Sequence, residues 1–430
     1  MPASGSDRIE RRRFIKVAGA GAVAGSVVGC LGDDNDDPGD DDPGDGIDDG
    51  DDADGTDDPD EGDLLIGGVQ PYSGPFAEVA TEFEAGFEMA LAEVNADGGV
   101  LGGRELTFRG VDSETDASEG ATIATEFIEQ DDVIALTGPV STDVGLQVAA
   151  VAEDLEVPVV FNQVGSHEVT TTESRFTFRM GLLPAPTTAM SIVEFVEERD
   201  FDTVSAIIAD YGYGHAFQEA LEAEVPDHIE LDLQVAPFME SDFAPYLRDV
   251  PDDVDVIVAT SHPPGAVSIF QTVQELDVDP EFVLGVSEEK PIWTALGESA
   301  TDGWVNVTQP YPFSEAYEAT AEEYVADTDE HFGVLAALGY TAGSMIAAAV
   351  EDAGEADPAA IADAIRNTNH DSLFAEPVQY TEWGELDQVR QVFTTFAEGG
   401  PDWNPDNEWH LEEEFVTEPQ DGFDPDAWGS

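Results

Sequence analysis

From Leu64 onward, short apolar runs alternate with segments whose apolar residues recur at helical spacing. Residues 64–69, Leu-Leu-Ile-Gly-Gly-Val, are a short apolar run and predict a buried strand. Over 78–95, Phe83, Phe87, Ala90, Leu91 and Val94 share one helical face, and Gly98-Gly99 ends the helix. The alternation continues with strands over 105–111, 133–137 and 157–161 and helices over 117–130 and 143–154. Repeated βα units predict a parallel sheet covered by helices. After 175–180 the rhythm restarts, with helices over 187–199, 215–225 and 266–276 and strands over 204–209, 231–235, 254–260 and 282–286. The fold class is therefore α/β, with two Rossmann-like lobes in succession. Residues 313–367 read as helices over 314–326, 332–353 and 358–366. That stretch is too poor in strands for a third lobe and is expected to return to the first. Late strands are expected at 378–380 and 391–396. The pattern leaves open whether the acidic tail 401–430 is disordered or docks Trp403, Trp409 and Trp428.

The first 63 residues follow a different pattern. Arg11-Arg12-Arg13-Phe14-Ile15-Lys16 precedes a run of small and apolar residues to Gly29, too short to span a bilayer. The arginines followed by Phe-Ile-Lys resemble a twin-arginine export signal, and Val27-Val28-Gly29-Cys30 resembles a lipobox. Residues 1–29 thus read as a signal peptide and Cys30, the chain's one cysteine, as a lipidation site. Residues 30–63, mostly Asp, Gly and Pro, cannot bury a core and read as an extended tether. Asp52, Asp54, Gly55 and Glu61 fall at positions of a calcium loop, but its first ligand position is Gly50 and no flanking helices are possible. No metal or other cofactor is expected. The helix around 335–350 is too short and too rich in Ala and Gly to cross a membrane.

Charge changes the picture of the environment. The 430 residues carry 14 Lys and Arg against 95 Asp and Glu, a formal net charge of −81. Nucleic-acid binding is excluded, because a phosphate backbone needs a cationic footprint. Docking on anionic lipid through a basic patch is disfavoured for the same reason. Such self-repulsion opposes folding in dilute salt, whereas at 1 M salt the Debye length is about 3 Å. The composition reads as that of a protein working in concentrated salt.

Catalytic signatures are absent from the sequence: no phosphate loop with its lysine, no His-Glu-x-x-His helix, no nucleophile elbow. The seven histidines are scattered without metal-ligand spacing. Open α/β sheets bind ligands beyond the carboxyl ends of their strands. There the chain places Tyr72-Ser73-Gly74-Pro75, Ser141-Thr142 at a helix start, Asn162-Gln163-Val164-Gly165-Ser166, Tyr211-Gly212-Tyr213-Gly214, Ser261-His262 and Ser287-Glu288-Glu289. A helix start with hydroxyls and free N–H groups suits a carboxylate; a plain structural cap is the alternative.

These segments resemble the branched-chain amino-acid-binding family of extracytoplasmic solute-binding proteins, which serve ABC importers. Tyr72-Ser73-Gly74-Pro75 resembles the family's opening element, and 93–104 resembles its Asn-x-x-Gly-Gly segment. Tyr211-Gly212-Tyr213-Gly214 resembles its Tyr-Gly-x-Gly turn; 297–300 and 337–342 also match, so the resemblance spans about 64–400. It implies a type I periplasmic-binding-protein fold with three hinge crossings near Gly181, Gln309 and Leu373. Lobe 1 would be 64–181 with 310–372 and lobe 2 would be 182–309 with 373–400. It further implies that Ser141 and Thr142 take a ligand carboxylate and that Gln163, Gly165 and Ser166 give polar and main-chain contacts. Glu288 would meet an ammonium, and Tyr72, Tyr211, Ser261 and His262 would line the remaining space. The family's aromatic position after Ser-Gly-Pro falls on Val79, and Ser261 stands at another aromatic position. The implied function is delivery of a small polar ligand, first of all a branched-chain amino acid, to an ABC permease by a lipid-anchored monomer. An amide- or urea-binding importer component and a sensor lobe for a signalling receptor are the alternatives, with a secreted amidase or dehydrogenase less favoured.

Overall fold

The computed structural model describes residues 62–285 and 288–428. The export signal, Cys30 and all but Gly62 and Asp63 of the tether, with its calcium alternative, lie outside the described residues.

The first sheet is built from β1 (Leu64–Gln70), β2 (Leu106–Asp112), β3 (Ala135–Thr137), β4 (Val159–Phe161) and β5 (Thr177–Arg179). Between them run α1 (Ala77–Ala96), α2 (Ala117–Gln130) and α3 (Thr142–Leu155). All neighbours pair parallel, in the order β2-β1-β3-β4-β5. The chain then passes through α4 (Ala185–Glu198), β6 (Thr203–Asp210), α5 (Gly212–Glu224), β7 (Glu230–Pro237) and α6 (Ala244–Leu247). β8 (Val256–Ala259), α7 (Gly265–Glu275), β9 (Phe282–Gly285), α8 (Glu289–Leu296) and β10 (Trp304–Thr308) follow. α9 (Glu315–Thr328), α10 (Val334–Ala353) and α11 (Pro358–Arg366) precede the final strands β11 (Val392–Glu398) and β12 (Trp409–Val416). The second sheet has the order β12-β11-β10-β9-β8-β6-β7, with β11 antiparallel to both neighbours.

The inner strands read as continuous apolar runs because helices cover both faces of a parallel sheet, whereas the edge strands β2 and β7 alternate with polar residues. β3, β4 and β5 are buried along their whole length. In both sheets the connections leave in opposite directions from two adjacent strands, β1 and β3 in the first, β6 and β8 in the second. Such a switch point opens a crevice at the carboxyl ends of the strands, where ligands bind.

The late helices return to the first lobe as the pattern predicts. α10 packs on α1 so closely that a Cβ on Gly86 would lie 1.8 Å from the Ala336 carbonyl oxygen, and one on Gly339 1.8 Å from that of Phe83. Only glycine permits this contact. The expectation that this helix is too short to cross a membrane is corrected: among the described residues α10 alone, at 20 residues, is long and apolar enough, yet 78% of its apolar window is buried. Leu338, Ala342 and Ile346 share a core with Phe83, Phe87 and Ile361.

Two further expectations need correction, and the question left open for the tail is decided. Residues 378–380 form isolated bridges, Val378 with His370 and Tyr380 with Leu386, rather than a strand. Segment 373–389, assigned from the sequence to the second lobe, puts Val378, Tyr380, Leu386 and Val389 into the first lobe's core. The last crossing therefore follows Val389 rather than Leu373, because Tyr380 packs edge-on against Phe178 of β5. The tail 401–430 is not separate from the body: β12 extends the second sheet with Trp409 buried, and the Trp428 indole N–H donates to Glu224 at 2.7 Å.

Candidate functional site

The two switch points face each other. Phe76 ends the loop after β1 and precedes α1; it is 2% exposed although it sits in a connecting segment. Its ring enters an aromatic socket of the second lobe, 4.8 Å edge-on from His262, 5.8 Å from Phe238 and 6.4 Å from Tyr211 between centroids. Edge-to-face and tilted pairs at these spacings are favourable. Beside it the first turn of α3 meets the start of α5: a Cβ on Gly212 would lie 2.9 Å from Asp143 Oδ1. The lobes are closed on each other.

Behind this contact lies a cavity of about 70 Å³. The first lobe contributes Val79, Gln163 and Leu335 to its wall, and the second contributes Tyr211, Tyr213, His262 and Glu288. Ile192, Phe217, Val258 and Leu284 make its deeper part apolar, and Val307 and Gln391 close it at the crossing segments.

The polar end is organised by His262. Its Nδ1 lies 2.5 Å from Glu288 Oε1, and its Nε2 is 3.4 Å from the Tyr211 hydroxyl. Glu288 is 4% exposed. Tyr211 and His262 follow β6 and β8, the two strands of the switch point, which explains how distant positions converge. Burial holds the Tyr211 phenol well above its ordinary value, so it stays a neutral donor. Neither Lys nor Arg lines the cavity, and the His262 imidazole is the basic group that meets Glu288 there.

Four residues singled out from the sequence thus meet at the cavity: Gln163, Tyr211, His262 and Glu288. Ser141 and Thr142 lie at the start of α3, both buried; Ser141 makes no side-chain cap, and the Thr142 hydroxyl has no partner among the described residues. They stand next to the cleft contact of Asp143 without lining the cavity itself.

Gly165 and Ser166 are placed differently from expectation. Arg179, fully buried and paired with Glu385 through Nε at 2.6 Å and Nη2 at 2.8 Å, donates to the carbonyls of Val164 and Ser166. The Ser166 hydroxyl accepts from Glu168 N–H. This loop is spent on its own support. Gly165 matters through its missing Cβ, which would collide with Leu182 and Tyr213, both cavity residues. Ser261 is buried with its Cβ facing Gly265, off the cavity wall. Tyr72 is a clear correction: its hydroxyl donates to Glu84 and its ring lies against Gly110, away from the cavity. Its sequence neighbour Phe76 is the aromatic that reaches across, while Val79 lines the wall as an aliphatic. Sequence reading missed Phe76 and Gln391; the one signal for Phe76 was an aromatic residue inside a Gly-Pro loop.

A second inter-lobe contact adjoins the site. Glu289, beginning α8, accepts from the Val334 N–H at the start of α10 at 3.4 Å and lies 3.2 Å from His331 Nε2. Lys290 pairs with Glu330 at 2.8 Å. Glu82 on α1 faces this cluster. Burial first, then the charges of Glu289, Glu78 and Glu288, push its carboxyl up to about 8.

Comparison with known proteins agrees with this geometry. The family described as periplasmic binding protein matches residues 64–399. The leucine-, isoleucine-, valine-, threonine-, and alanine-binding protein of Pseudomonas aeruginosa is 24% identical over 310 residues, covering 69% of this chain and 80% of that protein. A Leu/Ile/Val-binding protein homolog of Brucella abortus is 25% identical over 308 residues, covering 67% and 75%. Among solved structures, a leucine binding protein from Thermotoga maritima superposes with a TM-score of 0.70 at 20% identity, over 84% of this chain and 99% of that one. The branched-chain amino acid transporter substrate binding protein of Streptococcus pneumoniae, in complex with isoleucine, gives a TM-score of 0.68 at 18% identity, over 82% and 99%.

Proposed function

The chain belongs to the periplasmic binding protein family, and from that premise we propose that it is the solute-binding component of an ABC importer, capturing a small amino acid between its lobes. The observation that carries the reading is the closed inter-lobe cavity with Glu288 buried in its wall. A buried carboxylate is costly unless an opposite charge meets it. A ligand ammonium would supply that charge, with His262 and Tyr211 holding the carboxylate in place. The amino-acid specificities in the relatives' names support the same ligand class. The start of α3 stands beside the cavity rather than in its wall, and its Ser141 and unpartnered Thr142 hydroxyl would take the carboxylate of a ligand that extends past that wall into the cleft. About 70 Å³ corresponds to roughly five to seven water-sized positions at ~10–15 Å³ each, which favours a small amino acid.

Closure of two lobes about crossing segments presents a ligand-dependent shape to a membrane permease. The export signal and Cys30 lipobox extend the reading to a lipid-anchored monomer outside the cell, tethered by the acidic linker in concentrated salt. No chemistry on the ligand is part of it.

The test is isothermal titration of the protein with alanine, threonine and valine in multimolar KCl. Glu288→Gln removes a charged hydrogen bond worth about 1.5–3 kcal/mol, a loss of roughly ten- to a hundredfold in affinity. Unchanged affinity in this variant would remove the ammonium assignment.

A further inference from the structure

The deep wall of the cavity holds a group that the amino-acid reading leaves unused. Gln391 is fully buried and lines the cavity, yet neither Oε1 nor Nε2 of its side chain has a partner among the described residues. Its main chain is fixed: the N–H donates to Thr417 Oγ1 at 2.9 Å, and the carbonyl accepts from Thr417 N–H at 3.0 Å. The residue cannot swing away without breaking the sheet edge. The cavity wall also carries Ile192, Leu284 and Val307, whose side chains are apolar. Buried polar groups almost always find partners, so a carboxamide with both ends free in a cavity wall calls for one.

Gln309 adds to it. The pairing that runs from Val305 with Thr395 to Thr308 with Val392 makes Gln309 and Gln391 the next opposed positions of the two crossing segments. Gln309 Oε1 accepts from Leu182 N–H at 3.0 Å, but its Nε2 has no partner among the described residues.

We propose that Gln391, with Gln309 beside it, forms a second polar subsite at the hinge end of the cavity, one that receives the hydrogen-bonding tail of a small neutral amino acid. The inference rests on the amino-acid reading above and narrows it. The free amide offers one acceptor and donors, which match a hydroxyl or a carboxamide. An acidic tail would find neither Arg nor Lys in the cavity wall and would meet a cavity that already holds the Glu288 carboxyl group. An aliphatic tail would leave the amide buried and unpaired. A site built to hydrogen-bond a ligand group discriminates strongly against the isostere that lacks it.

Isosteric pairs test this directly: threonine against valine, and asparagine against leucine, by isothermal titration with aspartate as the charged control. The structure predicts that the polar member of at least one pair binds tenfold or more tightly than its aliphatic partner and that aspartate binds weakest. Gln391→Met, close in length and without the amide, should abolish or invert that preference. The ligand-free Gln391→Met protein should melt no lower than the parent, since an unpaired buried amide has been removed; Gln391→Leu is the second variant. A purely structural glutamine would instead lower the melting temperature and weaken both members of each pair alike, which overturns the subsite. Tighter binding of valine and leucine, unaltered by Gln391→Met, overturns the subsite while leaving amino-acid binding intact. Absence of heat with every amino acid overturns both.

Discussion

Phe76 carries the aromatic contact between the lobes beside the cavity, and its contribution can be separated from the stability of either lobe. Its ring touches Tyr211, Phe238 and His262, all on the opposite lobe. Aromatic pairs of this kind are worth about 0.5–1.5 kcal/mol each beyond area burial. Phe76→Ala is expected to weaken ligand affinity at least tenfold in calorimetry, with Glu288 chemistry untouched. A normal affinity would mean that closure does not depend on this socket. Residues such as Tyr211, His262 and Glu288 were legible in the sequence because each follows a strand of an alternating α/β pattern. Phe76, one turn before a periodic helix, had no period to mark it. Tyr72, equally aromatic and four residues earlier, turns instead onto Gly110 and Glu84. Spacing cannot tell which side of a loop an aromatic takes.

The βα rhythm predicted most elements of both lobes, because inner parallel strands are apolar runs, but it did not mark β10, α8 or β12. The exceptions have physical causes. β12 carries Glu412, Glu413 and Glu414 in mid-strand, where an edge position leaves Glu412 and Glu413 exposed and Glu414 half-buried against Arg199, so its pattern reads as polar tail. The segment before β11 reads as second-lobe chain until Tyr380 is seen against Phe178. The start of α8 is also where pH should act. Glu82 is faced by Glu78 of its own helix, by Glu288, Glu289 and Lys290 of the other lobe, and by Tyr317 and Tyr324 of α9. Its carboxyl is raised from 4.5 to about 8 in the closed form. Between those values the closed form holds a proton that a form free of this cluster releases. Closure is therefore favoured at the acid end of that window and weakens as pH rises through it. Apparent affinity for a neutral amino acid should fall between about pH 5 and pH 8, and Glu82→Gln should flatten the profile. A profile with the same slope in both proteins would remove Glu82 as its source.

At the scale of the molecule, two sheets of matching order place their switch points face to face, and the long apolar α10 holds the returning chain against the first of them. The surface around this body carries most of the net charge of −81. Ion pairs such as Lys290–Glu330 and Arg199–Glu414 neutralise only a little of it, and salt does the rest. Binding must therefore be measured in multimolar KCl, where a Debye length near 3 Å suppresses the self-repulsion. The central claim is that the closed cavity is an amino-acid site. A thermal-shift panel of amino acids, short amides, urea and small carboxylates tests it most directly. A ligand at 100 times its dissociation constant adds about 2.7 kcal/mol of stability. The account predicts a raised melting temperature confined to small neutral amino acids and reduced in Glu288→Gln. Shifts with amides or carboxylates alone, or with none of the panel, would contradict it.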